Sequence, residues 1–134
     1  MSGMSIAETR QTVVDTINGE VNLIRPNTAV YGETVPQNVE SGILVTVDDL
    51  TITDVIEGIP NITSCLARAV CFSFNSRYEC DQIADATIKS ITGKPGDFFN
   101  AITLKGFENV DYDETFGVFV DVLTFNFPIK HNAI

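Results

Sequence analysis

The sequence predicts an α+β domain: a mixed or antiparallel sheet of about five to six strands, with an N-terminal helix and a central helix packed on one face. Two segments repeat apolar residues at helical spacing behind capping signals, and several others alternate apolar and polar residues between turn residues. No internal repeat is visible, and 134 residues suit one domain, 1–134, able to bury about two-thirds of its unfolded surface without a disulfide or metal.

The first helix is announced by Ser5 and Glu8 at capping-box spacing, with Ile6, Val13, Val14 and Ile17 on one face and Asn18-Gly19 as its stop. Pro26 and the polar stretch 32–42, containing Pro36, leave a short extended piece at 29–31 and then a loop. Residues 43–47 read as a buried strand. Residues 50–56 alternate as a second strand or hairpin arm, punctuated by Gly58, Pro60 and Asn61. The strongest strand signal is 67–74, with Val70, Phe72 and Phe74 on one side, Ala67, Ala69, Cys71 and Ser73 on the other, and both faces largely covered. Ser76 and Glu79 form a second capping pair before Cys80, Ile83, Ala84, Ile88 and Ile91, which recur at helical spacing until Gly93, Pro95 and Gly96. Two strands follow, about 101–107 and 116–127, joined by an acidic turn at 109–114; residues 128–134 read as a short flexible tail.

Composition excludes several classes of function. Hydrophobic residues make up 44% of the chain and charged ones 19%, so the net charge of −10 belongs to a folding domain and not a disordered acidic tail. Eighteen acids against eight bases disfavour nucleic-acid binding, which depends on Lys and Arg displacing counterions. The acids cluster: Glu33, Glu40, Asp48, Asp49, Asp54 and Glu57 lie between Arg25 and Arg68, where no base occurs. Three cysteines, Cys65, Cys71 and Cys80, read as free thiols in a reducing compartment. Residues 1–7 lack a secretory pattern and no run is apolar enough to span a bilayer, so a soluble chain made in a cytoplasm, without membrane association, is expected.

No catalytic residues, metal site or cofactor are expected. A Ser or Cys hydrolase needs a base beside its nucleophile, and the one histidine, His131, falls in the terminal tail. The cysteine spacings do not place two sulfurs on one zinc. Asp48-Asp49 and Asp111, Asp113 and Glu114 have the chemistry for a hard cation or acid-base work but match no calcium loop, and Asp favours turns for local hydrogen-bonding reasons. Gly93-Lys94-Pro95-Gly96 lacks a phosphate-loop frame and reads as a helix stop. Asp121 lies among Phe119, Leu123, Phe125 and Phe127 on a core-like face, where an unpaired carboxylate would cost several kcal/mol. Arg68 or Arg77 could pair with it inside the fold, a neighbouring subunit could supply the partner, or an edge position or bulge could turn it outward.

In this order of elements the chain resembles the tail-terminator, or tail-completion, proteins of long-tailed bacteriophages. The resemblance rests on 67–92, where Ala69-Val70-Cys71-Phe72-Ser73-Phe74 leads through Asn75-Ser76-Arg77-Tyr78 into the helix beginning Glu79-Cys80-Asp81. Residues 30–47 and the closing strand 117–127 add to it. It implies a homohexameric ring at the head-proximal end of the tail in the virion, assembled in the host cytoplasm. Such a ring caps the tail tube protein, halts its polymerisation and meets the head connector protein, while DNA passes through unbound. On that reading Glu33, Glu40, Asp48, Asp49, Asp54 and Glu57 form an acidic loop facing the lumen and repelling phosphates. Arg68, Arg77, Asp121, Phe119 and Phe125 are the expected subunit interface. The alternatives are another virion joining protein, such as a head-completion or minor tail component, a small acidic binding module, and a carboxylate enzyme using Asp48, Asp49, Asp111 or Asp113.

Overall fold

The computed structural model describes residues 4–130, the side chains of Asp111 and Asp113 excepted. Helix α1 (Ile6–Ile24) starts on the expected reciprocal box: Glu8 N donates to Ser5 Oγ at 3.1 Å, and Ser5 N donates to Glu8 Oε1 at 3.2 Å. Thr9, Val13, Ile17 and Val21 are its buried stripe, four residues apart. The helix does not stop at Asn18-Gly19. An internal glycine costs about 1 kcal/mol against alanine, less than the roughly 1.5–3 kcal/mol gained by burying Val21. Asn22 fixes the true end: its Nδ2 donates to Asn18 O and Thr28 O, and its Oδ1 accepts from Thr28 N.

Strand β1 (Val30–Gly32) runs parallel to β2 (Ser41–Ile56). The two strands expected at 43–47 and 50–56 are one, because a bulge between Val47 and Asp49 absorbs Asp48 and shifts the phase of the alternation. Glu57 and Gly58, with φ of 54° and 79°, make the tight turn into β3 (Ile59–Ser73). Pro60 and Asn61 therefore lie inside β3. Pro60 is tolerated because β3 pairs with its other neighbour only from Ser64 onward, leaving its amide-less edge unpaired. Gly42 is where β2 and the segment before β1 approach most closely: a Cβ there would lie 2.7 Å from Ala29 O, the acceptor of Ile43 N.

Helix α2 (Arg77–Ile91) forms half of the expected second box. Glu79 N donates to Ser76 Oγ, but Glu79 Oε1 is taken by Ser73 Oγ at 2.6 Å and Asn75 Nδ2 at 3.1 Å. Strands β4 (Thr103–Asp113) and β5 (Val118–Pro128) form the last hairpin. The expected turn at 109–114 is strand as far as Asp113, extended by Tyr112 stacking on Phe119 at 4.5 Å, and the turn falls at 114–117. Nor is 128–130 a loose tail. Ile129 is buried, donating from its amide to Thr63 O, and Lys130 N donates to Phe98 O. His131 lies outside the described residues.

The five strands form one mixed sheet in the order β1-β2-β3-β5-β4, antiparallel except at β1. Rows such as Val45/Ala69/Leu123 and Val47/Ala67/Phe125 face the two helices, and alanines in the middle strand let the helices approach. Both helices lie on this face and touch each other. The opposite face, including Leu44/Val70/Val122 and Thr46/Arg68/Thr124, carries no helix among the described residues. The expectation that both faces of residues 67–74 are covered is thus corrected: Val70 is half-buried, and Arg68 and Phe74 are exposed.

Candidate functional site

The most organised polar cluster surrounds Asp121, which β5 carries on the helix-facing row and which is fully buried. Arg77, in the first turn of α2, places Nη1 3.0 Å from Asp121 Oδ1. Asn109 on β4 donates to the same oxygen at 2.7 Å, and Cys80 Sγ donates to Oδ2 at 3.5 Å. Arg77 also donates to Val110 O and Val120 O and lies 5.2 Å over the Phe119 ring. One carboxylate thus gathers α2, β4 and β5. Of the partners the sequence offered, Arg77 is correct. Arg68 instead forms a two-pronged pair with Asp48, and the outward-turned alternative is excluded by the burial of Asp121.

Asp81 adds a second carboxyl. Its pKa is raised to about 6, first by its hydrogen bond to Asp121, then by burial and by the Asp121 charge, against the opposing pull of Arg77. Below about pH 6 Asp81 carries a proton and hydrogen-bonds to Asp121, and above it that proton is lost. Burial pushes Cys80 up to about 12 and Cys65 to about 11, and raises Cys71 further, so all three thiols stay protonated. Ligand atoms of Cys80, Asp81 and Asp121 lie within 4.8 Å of one another, a donor set that could hold a metal ion. Two of the three are already engaged, Asp121 by Arg77 and Asn109 and Cys80 as a thiol donor. Sequence spacing could not reveal this grouping, because Asp121 is forty positions from Asp81 and only the register joins them.

The acidic residues do not form one loop. Glu33 and Glu40 lie in the segment between β1 and β2, Asp48, Asp49 and Asp54 lie in β2 itself, and Glu57 is in the hairpin turn. All six are exposed. The expected interface set also separates. Asp121 and Phe125 are fully buried within the chain, Arg77 is committed to Asp121, and Phe119 lies under Arg77 and Tyr112. Arg68 alone is exposed, on the helix-free face.

Two other features present apolar surface. Beyond Ser64, β2 and β3 continue as a two-stranded arm to the Ile56–Ile59 turn, and Ile52, Val55, Ile56 and Ile59 are all exposed. Among the described residues the outer edge of β2 has no strand partner after β1 stops pairing at Val45. A groove of about 770 Å³ lies there under α1, lined by Ile6, Ala7, Val14, Val45 and Val47, with Arg10 donating to Val47 O at 2.6 Å. Among the described residues no helix is long and apolar enough to cross a membrane.

No family model matches the chain, and no curated protein matches it. Among solved structures, a chain from the "virion of native gene transfer agent (GTA) particle" is similar, with a TM-score of 0.58 at 11% sequence identity, covering 87% of this chain and 90% of that chain. At that identity the likeness shows a shared α+β fold over most of both chains.

Proposed function

We propose that this chain is a structural virion protein that acts by assembly and not by catalysis: the ring-forming terminator of a phage-like tail. The observation that carries this reading is the fold shared along nearly the full length of both chains with a gene transfer agent virion protein. The two unprotected sheet edges and the apolar arm add to it, since exposed edges and apolar patches of this kind are covered in stable proteins, commonly by a neighbouring subunit. In this reading six copies close a ring at the head-proximal end of the tail tube, end its polymerisation and present a surface to the head connector. The net charge of −10 keeps passing DNA from adhering. The Asp121 cluster is structural, holding α2 to the last hairpin. Cryo-electron microscopy of virions tests the position: density with this fold is expected as a ring between head and tail tube. Density at the portal side of the neck would favour a head-completion role, and its absence from the particle would overturn both.

A further inference from the structure

Resting on the ring reading, we infer that the free edge of β2 under α1 receives β4 of a second copy of this chain, pairing antiparallel, so that the sheets join around the ring. The two edges are complementary in direction and chemistry. β1 covers β2 only as far as Val45 and leaves its edge open from Thr46 onward, and β4 is itself the edge at the opposite end of the sheet. Strand direction alternates across β2, β3, β5 and β4. A rotation about an axis along the strands preserves both direction and face, so it sets β2 of one copy antiparallel to β4 of the next. That contact is heterologous, the kind that closes rings.

The same operation keeps the helix-facing side continuous. Phe107 belongs to that row, opposite Leu123, yet is 55% exposed because no helix reaches it in its own chain. In the joined sheet it enters the groove beneath α1 of the next copy, against Ile6, Ala7 and Val14. Among the described residues the edge lacks a strand partner at this point: Val47 O is held by the Arg10 guanidinium in place of a strand amide. With Phe107 opposite 45–47, antiparallel pairing also brings Lys105 toward Asp48 and Asp49 of β2, in the stretch that has no base of its own.

Native mass spectrometry of the wild type, Phe107→Glu and Ala7→Arg tests this, each change lying at an exposed position on one of the two edges. At about 100 µM the wild type should form closed rings, and each variant alone should weaken the contact at least about 30-fold and run as a monomer. Mixed one to one, the variants should give a dimer that grows no further, because each retains the edge the other has lost. A monomeric wild type, variants that assemble like the wild type, or folded variants that do not combine would each overturn the proposal. Hydrogen exchange on the wild type alone, diluted against concentrated, must show protection gained at 46–50 and at 103–107. Rings without that protection would discard the edge assignment while leaving the ring reading intact.

Discussion

Replacing Asp81 with Asn should remove a pH dependence from the folding of this protein. Asp81 is held against Asp121, with Arg77, Cys80 and Asp85 as the other titratable neighbours, and its pKa rises from 3.8 to about 6. A raised folded-state pKa means that the native state binds the proton more tightly than the unfolded chain. The stabilisation is complete below about pH 4 and fades as pH rises through about 6. The shift of about 2 units corresponds to no more than about 3 kcal/mol, and partial exposure with solvent screening reduces this to about 1 kcal/mol. Glu79 works in the opposite sense and elsewhere. Its pKa is lowered, chiefly by the Ser73 hydroxyl, so its contribution is lost only as pH falls below the usual carboxylate range. Asp81→Asn keeps an N–H donor toward Asp121 without the second charge. Urea unfolding followed by circular dichroism should show wild type less stable at about pH 7.5 than at about pH 5 by roughly 0.5 kcal/mol, and that difference should vanish in the variant. A variant that keeps the wild-type difference, or loses stability at the higher pH, would refute the hydrogen bond from protonated Asp81 to Asp121.

Asp121→Ala should cost about 3–5 kcal/mol in the same assay, because it strips the acceptor from Arg77 and Asn109; a loss below about 1 kcal/mol would mean that the cluster does not hold α2 to the hairpin. Gly42→Ala should cost about 1–3 kcal/mol and speed hydrogen exchange in β1, since the new methyl must displace the Ala29 carbonyl 2.7 Å away. Cys65, Cys71 and Cys80 should resist a thiol reagent at about pH 8 until the chain unfolds, given their burial and raised pKa values.

The helices and the alternating strands were legible because their signals are local: the Ser5–Glu8 box, the Cys80–Ile91 stripe and the 67–73 alternation each report the chain's own neighbours. Errors arose where tertiary contacts override local propensity. Gly19 reads as a stop only until the burial of Val21 and the Asn22 cap are known. Asp48-Asp49 reads as a turn because a bulge and an acidic turn share composition, and the bulge appears only once β3 is placed opposite. Asp121 was recognisable as an anomaly among phenylalanines, and Arg77 was one of two named partners. Asn109, Cys80 and Asp81 were hidden, because their roles depend on the register of β4 with β5 and on the rotation of α2 above them. Phe125 was misplaced as interface for a related reason. Alternation shows that Phe125 shares a row with Leu123 and Phe127 but not which row the two helices cover, and only the packed structure tells the two rows apart.

Tail length is the most direct measure of the assembly role. In lysates of a phage-like particle that encodes this chain, disabling it should yield headless tails of uncontrolled, excessive length under negative stain, with normal length and head attachment restored when the wild-type chain is supplied. Tails of normal length that merely fail to join heads would contradict termination as its role.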